Sequence, residues 1–274
     1  MEFDYCGKTA VITGGTSGIG LATAKLFGKS GANIAICGQN VQKLENALEE
    51  LRQLGINALG VPCNVIVRNQ VMEFGDRIAA AFGTADVWVN NAGRAGWMGM
   101  MKASEEFVNE QIGSNFLSAV WGSQAAFRLM RDKGGVIVNA ASYAGVIPAV
   151  GNGMYATSKS AVISLSRTLA AELAPYKIRV VGYTPGLIHT GMLRDPSNLK
   201  AMHATISSHR IGKPEEVATL IAFLASDAAA FIDGTCVEIS GGKLATQNIP
   251  AAWDKNNSVI YDPDHLPARL LEDA

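Results

Sequence analysis

The sequence predicts an α/β protein, a doubly wound parallel sheet of about seven strands with helices on both faces. Three observations carry that reading. Short apolar segments alternate with stretches long enough for a helix. Those segments are apolar throughout instead of at every second residue, as strands covered on both faces are. The first segment also runs through a glycine-rich turn into a helical pattern. The 274 residues are 48% hydrophobic and 17% charged, with a formal net charge of −1. That balance supplies a large core and argues against disorder and against a general polyanion-binding role, so no nucleic-acid partner is expected.

Taken in order, Lys8 to Thr13 reads as the first strand, and Ile19, Ala22, Thr23, Leu26 and Phe27 recur at helical spacing after the glycines. Asn33 to Cys37 reads as the second strand. Asn40 then caps a helix whose Val41, Leu44, Leu48 and Leu51 share a face. Further strands are expected at Ala58 to Pro62, Asp86 to Asn90, Gly135 to Ala140, Ile178 to Tyr183 and Thr235 to Ile239, with a small helical insertion between Gly191 and Gly212. No linker interrupts residues 5–243, so residues 1–243 are expected to form one domain. Residues 244–274 are read as an extension, with two basic residues against five acidic ones and three of the nine prolines. Composition alone would leave this tail disordered, but Ile249, Trp253, Val259, Ile260, Tyr261, Leu266 and Leu270 favour docking on the body or on a neighbouring subunit.

Cys6, Cys37, Cys63 and Cys236 form no CxxC pair and lie near no His cluster, which predicts neither a zinc site nor a disulfide framework. A reducing, cytoplasmic compartment is expected. The chain opens with Glu2 and Asp4 and has no apolar run long enough for a bilayer, so no membrane role is expected. His189, His203 and His209 match no metal-ligand spacing, and no metal is expected.

Thr13-Gly14-Gly15-Thr16-Ser17-Gly18-Ile19-Gly20 lies between the first strand and the first helix. A tight βα turn would account for the glycines alone. Their position at a helix N-terminus, where backbone N–H groups and the helix dipole favour an anion, points further, to a dinucleotide pyrophosphate. This turn resembles that of the short-chain dehydrogenase/reductase family, and four further features agree with the resemblance in order and spacing: Asn90-Asn91-Ala92-Gly93, Ser142, Tyr155-Ala156-Thr157-Ser158-Lys159, and Pro185-Gly186 with Thr190. The resemblance covers about residues 5–243 and implies a Rossmann-like fold.

The same resemblance implies a nicotinamide cofactor. It assigns the pyrophosphate to the turn through Gly14, Gly18 and Gly20, with Ile19 also in contact with the cofactor, and the adenosine ribose to Gly38 and Gln39 after the second strand and to Asn91, Ala92 and Gly93; Gln39, Asn40 and the hydroxyls of Thr16 and Ser17 can donate hydrogen bonds there but supply no charge. The adenine falls to Asn64 and Val65. Many relatives carry Asp at position 64, but an Asn side chain both accepts and donates, so adenine binding is expected to survive. Pro185, Gly186, Ile188 and Thr190 are assigned to the carboxamide, and Tyr155 and Lys159 to the nicotinamide ribose. Gly38 stands where NAD-preferring relatives carry Asp, and Gln39 where many NADP-preferring relatives carry Arg. With neither charge present, dual use with a slight preference for NADP(H) over NAD(H) is expected.

Tyr155 and Lys159 are four apart and so share one helix face. A phenol with a free pKa of about 10 is a poor base, but a neighbouring ammonium and the positively charged nicotinamide of the cofactor favour the phenolate and would bring Tyr155 towards working pH as a general acid/base. Ser142 can hydrogen-bond the reacting oxygen. By resemblance, Asn115 holds a water that links Lys159 to solvent. The expected reaction is interconversion of a ketone and a secondary alcohol. The alternative is a non-catalytic dinucleotide sensor or structural subunit, against which all four residues stand intact; a Rossmann-like methyltransferase would have no use for the Tyr155–Lys159 spacing.

The substrate pocket is expected from Arg94, Trp97, Met98, Ser142, Tyr143, Met154, Leu187, His189, Met192 and Leu193, on loops at the carboxyl ends of the strands. Arg94 pairs either with an anionic substrate group or, the favoured reading, with a surface partner. Relatives assemble through two long helices, here expected around Ser104 to Phe127 and Met154 to Ala174, so a homotetramer or homodimer is expected.

Overall fold

In the computed structural model, which describes residues 3–191, 199–247, 249–262 and 264–270, the Thr-Ala-Val-Ile-Thr run forms β1 (Thr9–Thr13), buried along its whole length. The chain then alternates as the sequence predicts: α1 (Gly18–Lys29), β2 (Asn33–Gly38), α2 (Val41–Gln53), β3 (Ala58–Pro62), α3 (Arg68–Phe82) and β4 (Val87–Asn90). After β4 come α4 (Glu105–Ile112), α5 (Ser118–Met130), β5 (Gly135–Ala140), α6 (Gly153–Leu173), β6 (Ile178–Pro185), α7 (Leu199–His203), α8 (Pro214–Ala225) and β7 (Cys236–Ile239). The strand order is β3-β2-β1-β4-β5-β6-β7, and every described pairing is parallel.

Apolar strands bury residues on both faces because helices cover both. Ile12, Ile34 and Val138 point into one core with Phe27 of α1, Leu48 of α2 and Ile221 of α8. Val11, Ala35 and Ile137 point into the other with Phe74 of α3, Met130 of α5 and Leu173 of α6. Asn40 caps α2 as expected, its Oδ1 accepting from the Lys43 N–H at 2.8 Å. Val41 differs from the expectation: at the first position of α2 it is 56% exposed, while Leu44, Leu48 and Leu51 are buried. The order reverses between β1 and β4, and the crevice above their carboxyl ends is where such sheets bind ligands.

The helix expected from Ser104 to Phe127 is interrupted by a π-helical turn at Gly113–Leu117, which separates α4 from α5. π turns of this kind are frequent at functional sites, and this one carries Asn115. The expected insertion contains α7; Met192 and Leu193 lie outside the described residues. In the tail, Ile249 and Leu270 are buried. Trp253 stacks on His209 with centroids 4.2 Å apart, and its indole N–H donates to the Ser207 carbonyl at 3.3 Å. Val259 and Ile260 remain exposed.

Candidate active site

The glycine turn is shaped by two close approaches. A Cβ on Gly20 would stand 2.3 Å from the Gly14 carbonyl oxygen and 2.6 Å from Asn91 Nδ2, and Gly14 itself adopts φ +65°, where side chains are strained. Asn91 locks the turn: its Nδ2 donates to the Thr13 and Gly14 carbonyls at 3.1 and 3.2 Å, and its Oδ1 accepts from the Tyr183 hydroxyl at 2.9 Å. Thr13 Oγ1 accepts from the N–H groups of Asn91 and Ala92, both at 3.1 Å. Ser17 stands at the N-cap of α1, makes no cap bond with its side chain, and is followed by no acidic residue in the first turn. The first-turn N–H groups therefore remain donors for an anion, and a pyrophosphate fits this cradle.

Across the crevice, a Cβ on Gly18 would approach the Thr190 methyl at 3.1 Å, so the end of β6 faces the turn. Gly186 donates to the Ile239 carbonyl at 3.0 Å, Ile188 bridges Gly212, and His189 is exposed. At the adenosine end, Gln39 is exposed. A Cβ on Gly38 would lie 2.6 Å from the Thr16 methyl, so Thr16 already fills the space a side chain at 38 would enter. Asn64 Oδ1 accepts from the Ile66 N–H at 3.2 Å, and Val65 is half-buried beside it.

Ser142 follows β5 and opens a 3₁₀ turn, its Oγ accepting from the Ala144 N–H at 3.2 Å. Tyr155 lies near enough to Ser142 for the serine side chain to lower its pKa. One turn along α6, Lys159 is buried; its Nζ donates to the Ala140 carbonyl at 2.7 Å and lies 5.9 Å from the Tyr155 ring centroid. Burial brings the Lys159 pKa from 10.5 down to about 8. Asn115 is 1% exposed. It accepts from the Arg94 N–H and donates to the Arg94 carbonyl, both at 2.9 Å. Gly93 keeps the gap between them open, since a Cβ there would stand 2.8 Å from Asn115 Oδ1 and 3.3 Å from Lys159 Nζ.

Four residues expected together, Asn115, Ser142, Tyr155 and Lys159, thus converge above β4 and β5. The expected pull of Lys159 on Tyr155 is not met by protein groups alone. Burial is the largest influence and raises the Tyr155 pKa, with the Ser142 side chain opposing it, while the ammonium is engaged by Ala140 and is itself desolvated.

The expected substrate-side residues separate into two groups. Met154 is buried and Tyr143 adjoins Ser142, while Trp97 is 54% exposed. The Met98 N–H donates to the Gly151 carbonyl at 2.7 Å, holding the loop after β4 against the loop before α6. Leu187 is half-buried and its carbonyl accepts from the Gly212 N–H at 2.9 Å. Arg94 turns outward and pairs with Glu110 of α4, the surface pairing favoured for it.

Sequence reasoning missed a buried polar chain beneath the site. Asn90 Nδ2 donates to Asn139 Oδ1 at 2.8 Å and to Ser123 Oγ at 3.1 Å, and Asn139 Nδ2 donates to Ser166 Oγ at 3.0 Å. The signal was a polar residue, Asn139, inside an otherwise apolar strand. A second cavity of about 770 Å³, which includes Tyr5, Asp86 and Arg179 in its lining, opens at the opposite, amino ends of the strands, away from this chemistry.

A parallel sheet with a glycine cradle at its switch point and a Ser-Tyr-Lys group at its carboxyl edge defines a dinucleotide-dependent oxidoreductase. The family described as enoyl-(acyl carrier protein) reductase matches residues 14–243. The chain is 35% identical over 243 residues to a 3-oxoacyl-(acyl-carrier-protein) reductase of Chlamydia trachomatis, covering 86% of this chain and 96% of that one. It is 33% identical over 239 residues to a 3alpha-hydroxysteroid dehydrogenase of Mediterraneibacter gnavus, covering 85% and 96%. A short-chain type dehydrogenase/reductase from Mycobacterium marinum superposes with a TM-score of 0.85 at 33% identity, over 89% of this chain and 98% of that one. The chain belongs to the short-chain dehydrogenase/reductase family and is an NAD(P)-dependent oxidoreductase.

Proposed function

We propose that the protein interconverts a ketone and a secondary alcohol, with Tyr155 as the general acid/base. The observation that carries this is the convergence of Ser142, Tyr155, Lys159 and Asn115 beside the glycine cradle. The bound nicotinamide supplies or accepts the hydride. Ser142 orients the substrate oxygen and, with Tyr155, hydrogen-bonds it. Tyr155 gives its proton to that oxygen in reduction and takes it back in oxidation. Lys159 holds the nicotinamide ribose, the positive charge of an oxidised nicotinamide joins the ammonium in favouring the phenolate against burial, and Asn115 holds the water that connects Lys159 to solvent.

The relatives named for 3-oxoacyl and 3-hydroxysteroid substrates support a carbonyl/alcohol pair. The exposed Trp97, Met100 and Met101 after β4 and the exposed Ile147 and Val150 between β5 and α6 support a medium-sized, partly hydrophobic substrate. For the cofactor we propose dual use with a slight NADP(H) preference, supported by the absence of any acidic side chain at Gly38 or Gln39. A cytoplasmic homotetramer or homodimer built through α4, α5 and α6 completes the reading; four free thiols support a reducing compartment, and light scattering tests the assembly.

Turnover of a ketone panel with NADPH or NADH, followed at the reduced-nicotinamide absorbance, tests the reaction. Tyr155→Phe keeps the ring but removes the proton, and is expected to lower kcat about 10²–10⁴-fold while leaving NADPH affinity nearly intact. Residual activity above about a tenth of wild type would move the acid role elsewhere.

A further inference from the structure

Arg94 is paired with Glu110, but a second cation approaches the site from the other end of the chain. After β7, Gly241 and Gly242 both take positive φ, +66° and +85°, and turn the backbone back towards the segment before α8. Ser208 N–H donates to the Gly241 carbonyl at 2.9 Å, Ser207 Oγ to the Gly242 carbonyl at 3.0 Å, and Lys243 N–H to Ser240 Oγ at 2.9 Å. The backbone of Lys243 is thereby fixed. Its ammonium donates to Thr205 Oγ1 at 2.8 Å and stands 5.2 Å from the Tyr143 ring centroid. Tyr143 is the residue after Ser142, and its phenol is close enough to influence Tyr155. Tyr143 is thus a neighbour both of the ammonium and of the proposed proton-transfer group.

Lys243 has no carboxylate within ion-pair distance among the described residues. The nearby Glu238 accepts from Ser240 Oγ and, at 3.4 Å, from the Leu244 N–H. Burial pushes the Lys243 pKa down, as expected of an ammonium that has lost water and gained one hydroxyl and a ring face. A carboxylate reaching it would form a charge-assisted hydrogen bond in a partly dry setting, the arrangement in which such a bond is strongest. Trp253, stacked on His209 and bonded to Ser207, backs the same segment.

We infer that Lys243 is the anion-recognising residue of the substrate pocket, and that the carbonyl or alcohol substrate carries a carboxylate set about one ring's width from the reacting carbon. The inference rests on the oxidoreductase reading above and adds a substrate class to it.

Two measurements keep the ideas separable. Calorimetric binding of hexanoate and of hexanamide to the full chain with NADP⁺ reads recognition without turnover. Wild type is expected to prefer hexanoate by about tenfold or more, as a charge-assisted bond implies. Lys243→Gln should bring the preference close to one, and Lys243→Arg should retain it. Lys243→Met serves as the second neutral variant if Lys243→Gln melts at a lowered temperature. A wild-type preference near one, or a preference that survives both neutral variants, overturns the inference. Reduction of 5-oxohexanoate against its methyl ester reads turnover. If neither these ketones nor any of the ketone panel is reduced while hexanoate still binds through Lys243, the ketone/alcohol reading fails and Lys243 stands; if the acid and its ester are reduced equally well, Lys243 fails and the reading stands.

Discussion

Burying the Lys159 ammonium is a burden on the fold that its proposed role would explain, and its size can be worked out. The pKa falls from 10.5 to about 8 because the side chain is fully desolvated. Keeping it charged at pH 7 costs on the order of 3 kcal/mol, at 1.36 kcal/mol per unit. The hydrogen bond to the Ala140 carbonyl, charge-assisted and worth roughly 1.5–3 kcal/mol, offsets much of that. Lys159→Met removes both, so the cofactor-free variant should be as stable as wild type or about 1–2 kcal/mol more stable at pH 7, although it loses turnover and binds cofactor more weakly. The sign with pH follows from the folded pKa lying below the unfolded one. The penalty is full below about pH 8 and disappears as pH rises towards 10.5, because the folded chain then sheds a proton that the unfolded chain still holds. Urea denaturation of both proteins at equal concentration, at pH 7, 8.5 and 10, measures this. The stability of Lys159→Met relative to wild type should fall steadily, by up to about 3 kcal/mol over the whole window, so that wild type becomes the more stable at high pH. A difference that stays constant from pH 7 to pH 10 would refute the claim that this lysine is folded in at an electrostatic cost.

Gly20→Ala places a Cβ against backbone at 2.3 Å, and overpacking of that kind should lower stability by about 1–3 kcal/mol and weaken NADPH binding, read by denaturation and fluorescence titration. Gln39→Arg should raise the NADP(H):NAD(H) ratio of kcat/KM about tenfold or more, from a charge-assisted bond of roughly 1.5–3 kcal/mol; an unchanged ratio would take residue 39 away from the ribose. Gly38→Asp should favour NAD(H), but only after the Thr16 methyl moves aside, so Thr16→Ser in the same chain should strengthen that shift.

The seven strands, the cap at Asn40, the glycine turn and the shared helix face of Tyr155 and Lys159 were legible in the sequence because each depends on periodicity or spacing within a few residues. The departures arise where one segment meets another. The tyrosine's position four before the lysine is a local fact, but the burial that raises its pKa is imposed by distant elements. Thr16 and Gly38 lie on different turns, and only the β1–β2 pairing sets the methyl in the space beside the glycine. Asn139 is a polar residue in an otherwise apolar strand, and only β4 and α6 bring Asn90 and Ser166 against it. Arg94 found Glu110 on α4, and Lys243 reached Tyr143 from a hundred residues away. Local patterns determine which elements form and which chemistry-bearing residues they carry. Which charge faces a neighbour and which faces the pocket is decided by desolvation and long-range contact, and those exist only once the sheet and its two helical layers have closed.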